Sequence, residues 1–312
     1  MPSESYSYLG PVGTFTWAAL SQVPEAAGKP WRSVNSVSEA LDDVIEGRSV
    51  AAMIAMENSI EGGVSATQDA LANIPGLRII GEYVVPVNFV LVARPGVSLN
   101  EVRVVNAHPV AYAQTHQWLH KNLPGHGHLP ATSNVAAAQS LLTEGHADAA
   151  VAPPGITDQL DLVQLAENIG DNPTAATRFV LVSRAGEIPA RTGSDKTSII
   201  AELPTDAPGA LLEMLEQFAT RGVNMSLIES RPVGDELGRY RFVIDLDGHV
   251  TDERVADALL GLKRFSPKVI FLGSYPRADK VQIEVTPRYG DEVFVEARDW
   301  LRGLISGEPE AD

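Results

Sequence analysis

From the start of the chain to about Val84, short stretches in which almost every position is apolar alternate with stretches whose apolar positions recur every three or four residues. The first kind suits strands buried on both faces and the second suits amphipathic helices, so the alternation predicts a wound α/β unit with a largely parallel sheet. Tyr6 to Leu9 reads as the opening strand. Between Val34 and Gly47, VNSVSEALDDVIEG carries a capping box (Ser36 with Glu39), an apolar face of Val37, Ala40, Leu41, Val44 and Ile45, and a glycine stop. SVAAMIAMENS then predicts a buried strand ending in the polar Glu57, Asn58 and Ser59. Parallel sheets place ligands at the carboxyl ends of such strands.

A similar pattern returns in TSNVAAAQSLLTEGHADAAVAPPG, with a polar cap, an apolar helix face, a Glu-Gly stop and an alanine-rich strand; Ser36 to Gly47 and Asn134 to Gly145 are equally spaced. Two lobes of related construction are expected, joined by Val84 to Ala93 going out and by Arg178 to Ser183 returning. Two crossing strands make a hinge, and the cleft between lobes is a natural place for a small ligand. After the linker RAGEIPARTGSD the rhythm changes: strand (Thr197 to Leu203), helix (Gly209 to Arg221), strands (Val223 to Pro232, Arg239 to Leu246), helix (Asp252 to Arg264, capped by Thr251) and strand (Lys268 to Leu272). That order is the split βαβ, ferredoxin-like plan. Beyond Arg277 the pattern predicts one more strand in VQIEV, an amphipathic helix with Val293, Ala297, Leu301 and Leu304 on one side, and a loose acidic tail.

Composition narrows the functions. A net charge of -16 with no compensating run of Lys or Arg repels phosphate backbones and anionic lipids, so neither nucleic acid nor membrane is expected as a partner. The chain has no cysteine, hence no disulfide framework, thiolate nucleophile or Cys-ligated metal, and the N-terminus lacks a basic segment leading into an apolar core. A cytoplasmic protein is expected. His116 and His120 in HQWLH, followed by His126 and His128, have no carboxylate nearby in sequence and read as a solvated helix face and loop, so no metal is expected.

The turn in YLGPVGTFTW resembles a phosphate cradle, yet Gly10 and Gly13 are followed by no lysine, and GxGxxG is absent. What remains is a strand-to-helix turn whose N–H groups and Thr14 and Thr16 hydroxyls suit a carboxylate as well as a phosphate, or an ordinary tight turn.

The turn has company. GPVGTFT at 10 to 16, ENSIEGGV at 57 to 64 and TRFVLVSR at 177 to 184 stand in the order and at roughly the separations seen in prephenate dehydratases, while PGALLEMLEQFATRGVNMSLIESRP, YRFVIDLDGH and FLGSYP resemble the ACT regulatory domain carried by those enzymes. The resemblance covers residues 6 to about 277. It implies an α/β fold with a two-lobed, periplasmic-binding-protein-like (type II) catalytic domain at 1–190 and a ferredoxin-like ACT domain at 196–277, followed by the 278–312 extension. Lobe 1 would be about 1–84 plus the return strand 178–190, and lobe 2 about 85–177.

The implied reaction takes prephenate to phenylpyruvate, CO2 and water, a carbon–oxygen lyase step in phenylalanine biosynthesis. Aromatisation drives it, so no cofactor is expected. The family ties activity most closely to the threonine of TRF, here Thr177, pictured as donating a hydrogen bond to the departing hydroxyl. Arg178 either pairs with a substrate carboxylate or serves a structural ion pair. Thr14, Asn58, Ser59, Glu61, Thr132, Ser133 and Phe179 are expected on the cleft wall, with a helix cap as the alternative for Ser59. His108 stands in the family's His-Pro position with its contact to substrate open. Trp17, Ala107 and Val110 depart from the family pattern.

By the same resemblance L-phenylalanine binds between two ACT copies near PGAL and ESRP, implicating Gly209, Ala210, Leu211, Asn224, Leu227, Glu229, Ser230 and Arg231, and requiring a homo-oligomer: a dimer through ACT domains, with a tetramer expected. The chain opens directly on its first strand, so one activity is expected. Arogenate as substrate and a non-catalytic, amino-acid-sensing two-lobed binding protein are the alternatives.

Overall fold

The computed structural model describes residues 4–234 and 238–307; the end of the acidic tail lies outside them. In chain order the elements are β1 (Tyr6–Leu9), α1 (Phe15–Leu20), β2 (Trp31–Val34), α2 (Val37–Ile45), β3 (Ala51–Asn58), β4 (Gly62–Gly63), α3 (Ser65–Asn73), β5 (Leu77–Pro86), β6 (Val90–Ala93), β7 (Val104–Ala107), α4 (Pro109–Gln114), α5 (His116–Asn122), β8 (Gly127–Pro130), α6 (Asn134–Thr143), β9 (Ala149–Ala152), β10 (Val163–Ala166) and β11 (Ala176–Arg184). There follow β12 (Asp195–Glu202), α7 (Ala210–Ala219), β13 (Met225–Pro232), β14 (Tyr240–Asp247), α8 (Glu253–Phe265), β15 (Val269–Pro276) and α9 (Asp291–Ser306). The chain forms two compact units, Met1–Thr67 with Tyr83–Leu181 and Gln68–Glu82 with Val182–Asp312, and passes between them within α3, β5 and β11.

The first sheet runs β2-β1-β3-β11-β5, with β1 parallel to both β2 and β3, as the buried alternation predicts. Ser36 caps α2 by accepting from the Glu39 N–H, and the Glu39 carboxylate accepts in turn from Asn35. Gly10 cannot carry a side chain because a Cβ there would meet Ser33 of β2. Trp17, the odd letter of the turn, meets Trp31 edge to face at 5.9 Å, so it is a packing residue.

The second sheet runs β10-β6-β9-β7-β8, with β7 parallel to β8 and β9. One apolar layer (Leu91, Val105, Leu119, Val151) and another (Val92, Val135, Leu141, Ala150) cover its two faces. The repeat holds with one shift: the cap of α6 is Ser133, which accepts from the Ala136 N–H, while Asn134 turns to accept from the His108 N–H. The outward crossing is two strands, not one. β5 stops at Pro86 and β6 starts at Val90, and the Asn88 side chain accepts from the Phe89 N–H in the break.

In the second unit an antiparallel sheet, β13-β14-β12-β15, is covered by α7 and α8 around Met214, Phe218, Ile244, Val255 and Leu262. Residues 68–82 belong to this unit. Lys196 pairs with Glu82 at 2.9 Å, Arg78 lies over the Phe271 ring, and a Cβ on Gly273 would strike the Ile79 carbonyl. The α8 cap is Asp252 rather than Thr251, because the Asp252 carboxylate accepts from the His249 N–H and closes the preceding turn. VQIEV forms no strand: Val281 and Val285 are exposed, and Ile283 donates one bond to Gly193.

Candidate functional site

A cavity of about 930 Å³ lies within the first unit. Its lining joins the Gly10 turn, the Asn58-to-Ser65 loop, the starts of α4 and α6, and Thr177 and Phe179 of β11. The loop is shaped by its glycines: Gly62 and Gly63 form β4 and pair back on Asn58 and Glu57, and Gly62 has φ +80°. That hairpin sets Asn58. Its Oδ1 accepts from the Ile60 N–H at 2.9 Å, which turns its Nδ2 to donate to the Thr177 Oγ1 at 3.1 Å. With that lone pair engaged, the Thr177 hydroxyl keeps its proton for another acceptor.

The described lining residues include no Lys or Arg. Positive potential comes instead from helix starts. Residues at the N-termini of α1 (Thr14, Phe15), α3 (Ser65), α4 (His108, Val110, Ala111) and α6 (Ser133, Asn134, Val135) all line the wall. The caps Thr14, His108 and Ser133 each engage one first-turn N–H, on Trp17, Val110 and Ala136. A helix leaves four such N–H groups without an intrahelical partner, and each terminus contributes roughly 0.3–1 kcal/mol toward an anion. The arrangement suits a small, multiply charged anion.

Of the residues expected on the wall, Thr14, Asn58, Glu61, Thr132, Ser133, Thr177 and Phe179 line the cavity. Ser59 and Arg178 do not. Ser59 Oγ accepts from the Ala176 N–H while its own N–H donates to the Ala176 carbonyl, which fastens the loop to the start of β11. Arg178 donates to Glu57 at 3.0 Å, an ion pair within the chain. The Thr14 hydroxyl donates within its own turn, to Pro11 or Leu9.

Two lining residues carry chemistry that sequence did not assign. Gln114 is 6% exposed, lines the cavity, and neither its Oε1 nor its Nε2 has a partner among the described residues. A buried amide left unpaired costs about 1–3 kcal/mol, which is recovered when a ligand supplies the missing partners. His108 accepts from the Val110 N–H through Nδ1, so its neutral ring carries the proton on Nε2. Burial pushes its pKa down, opposed by the Glu61 carboxylate. His116, His120, His126 and His128 form a ring cluster with Tyr112: His128 stacks on Tyr112 at 3.8 Å, and the Tyr112 hydroxyl meets His126 at 3.0 Å. Among the described residues no cluster of three or more potential metal ligands occurs.

In the second unit Gly209 takes φ +90° and starts α7; Ala210 is buried and Leu211 exposed. Asn224 donates to Asp247. β13 is an edge strand whose side chains alternate, putting Leu227, Glu229 and Arg231 on the more covered face and Ser230 on the exposed one. The covered face meets α3: Gln68 donates to Glu229, and Asp69 accepts from Arg231 and from Arg241, both at 2.7 Å. The Arg231 hydrogen bond, then that of Arg241, holds the Asp69 carboxyl below the usual range against the opposing effect of burial. Thus Glu229 and Arg231 are engaged within the chain, on the helix whose first residue, Ser65, lines the cavity.

Among the described residues no helix is long and apolar enough to cross a membrane. The prephenate dehydratase family model matches residues 6–187 and the ACT domain model residues 197–264. A prephenate dehydratase of Amycolatopsis methanolica is 41% identical over 97% of this chain and 98% of its own. The crystal structure of the Arthrobacter aurescens prephenate dehydratase in complex with L-Phe is 51% identical, with a TM-score of 0.92 over 97% of this chain and 99% of that one. A solved protein described as a novel type of quorum quenching acylase is 29% identical, with a TM-score of 0.75 over 88% of this chain and 98% of that one. With both family models matched in order and the TRF, ENSIEGGV and ESRP motifs in place, this chain belongs to the prephenate dehydratase family and carries that family's C-terminal ACT domain.

Proposed function

We propose that the protein is a decarboxylating dehydratase that converts prephenate to phenylpyruvate, CO2 and water and is inhibited by L-phenylalanine. The observation that carries this reading is the Thr177 hydroxyl, oriented by Asn58 on the wall of a cavity whose electrostatics come from helix starts. In the reaction the bond from the ring to its carboxylate breaks, its electron pair enters the ring, and the hydroxyl opposite leaves as hydroxide, taking up one proton from solvent to become water. Thr177 donates a hydrogen bond to that oxygen as negative charge develops, a contribution of about 10²–10⁴ in rate. The two carboxylates rest on first-turn N–H groups and hydroxyls, with the Gln114 amide as a further donor and acceptor.

Regulation by phenylalanine is supported by the ACT match and by the L-Phe complex of the Arthrobacter aurescens enzyme. The Glu229 and Arg231 contacts to α3 offer a route from the ESRP strand to Ser65 at the cavity. Phenylalanine acts by preferring one arrangement of that helix over another.

One feature favours a second substrate. Glu61 puts a carboxylate on the cavity wall, and arogenate carries an ammonium where prephenate has a keto group. Purified protein is assayed with both compounds in parallel, reading phenylpyruvate or phenylalanine formed. Turnover of prephenate, lost in Thr177→Ala, is the expected result; ligand binding with no product from either compound sinks the proposal.

A further inference from the structure

The last helix, α9, has no buried residue. Asp291 accepts from the Glu253 N–H and Arg298 pairs with Glu253, which ties one side of α9 to α8. Roughly 140° around the helix, at 3.6 residues per turn, lie Val293, Ala297, Trp300 and Leu304. All four are exposed, Trp300 at 59%, and Leu301 beside them is 51% exposed. Their 4-3-4 spacing is that of a coiled-coil seam, and the described residues of the unit leave the seam uncovered. We propose that α9 is a self-association surface, pairing antiparallel across a two-fold axis with α9 of a second copy of this chain.

Size and charge along the seam select the second copy and its direction. Antiparallel pairing sets each Trp300 against the other copy's Ala297 and each Leu304 against the other copy's Val293, so large meets small in both layers. On one flank Phe294 meets Leu301, apolar against apolar; on the other Glu296 meets Gly303, so no like charges face each other. Parallel pairing instead stacks Trp300 on Trp300 and lays the Glu296 carboxylate against Leu301. The acidic side of the helix, Glu292, Glu296 and Asp299, argues against an anionic membrane as the occupant. A 16-residue helix is about 24 Å long, and one such pair buries less than the roughly 800 Å² per partner of a standard stable interface. The contact therefore adds one step to an assembly held elsewhere too. The inference is independent of the substrate assigned above.

The absence of cysteine makes the test direct. In the full chain, Ala297→Cys with a short bis-maleimide is expected to give a covalent dimer, Val293→Cys alone to give none, and a mixture of Val293→Cys and Leu304→Cys proteins to cross-link. Cross-linking of Val293→Cys alone means parallel pairing and overturns the geometry. Sedimentation velocity of Trp300→Glu/Leu304→Glu is expected to show one assembly step weakened at least tenfold, with an unchanged circular dichroism melt because these side chains are exposed. Unchanged sedimentation together with no cross-link from any variant overturns the proposal, as does α9-dependent binding to neutral vesicles by a chain that shows no self-association.

Discussion

The cavity of the first unit and the ionic clusters of the second handle charge in opposite ways. In the first, the cavity that must accommodate anions has no Lys or Arg among its described lining residues and relies on hydroxyls, amides and helix starts. In the second, opposite charges are paired at close range: Asp69 with Arg231 and Arg241, Lys196 with Glu82, and Arg277 with Asp247 and Asp279. Fixed dipoles stabilise charge that appears only in the transition state without burying a permanent ion. Ion pairs lose more than they gain if one partner moves alone, so they suit a part that shifts as a unit or not at all.

The contrast is broken most severely at Thr177. Thr177→Ala is expected to lower kcat by about 10²–10⁴ with little change in melting temperature, and Thr177→Ser to restore much of it, since the hydroxyl is what acts. Normal turnover in the alanine variant removes the hydroxyl from the mechanism. Next, Gln114→Leu is expected to lower kcat/KM about 10- to 100-fold, the scale of a hydrogen bond to a charged group, while leaving stability equal or higher because the unliganded amide is unpartnered. A loss of stability in parallel with activity would make Gln114 a structural residue.

These two residues also mark how far the sequence could be read. The place of Asn58 and Thr177 on the cavity wall was legible because they stand in short, local motifs that resemble a known family's. Gln114 was not: it closes the apolar helix PVAYAQ, and its burial beside a cavity is set by tertiary packing that no local signal reports. Arg178 shows the same limit, since its partner Glu57 is 121 residues away. The fold was clearer. The Ser36 cap and the β1 and α9 patterns depend on near neighbours, whereas the break after Pro86 is hidden in a continuous apolar run and is made by the Asn88 side chain. VQIEV has strand-like text but gains no strand partner.

On the ionic side, Asp69→Asn is expected to raise the phenylalanine concentration needed for half-inhibition about fivefold or more, with kcat for the uninhibited enzyme within about twofold, the range of ordinary coupling energies. Unchanged inhibition would remove α3 from the regulatory route. A smaller effect lies in acid. The hydrogen bond from Arg277 lowers the Asp279 carboxyl from 3.8 to about 2. A folded-state pKa below the unfolded one means the pair stabilises the fold above about pH 4, and the contribution disappears as pH falls toward 2. Arg277→Ala should flatten the acid unfolding curve in that window; an unchanged curve shows the pair contributes nothing measurable.

The smallest expected effect has an informative sign. With net charge -16 and no Lys or Arg among the described lining residues, long-range forces repel a dianionic substrate, so raising ionic strength from about 0.01 to 0.15 M should lower KM, by about twofold. A rise in KM would mean that a cation does steer the substrate.

The membership of residues 68–82 in the second unit bears on how such chains are assembled and cut. The family model for the catalytic part runs to residue 187, so a gene trimmed there looks like a clean module, yet it would retain Asp69, Arg78 and Glu82 while discarding Arg231, Arg241, Phe271 and Lys196 that hold them. The border drawn by homology and the border drawn by packing are different lines. Grafting a foreign sensor onto this enzyme therefore means transplanting the 68–82 segment with it.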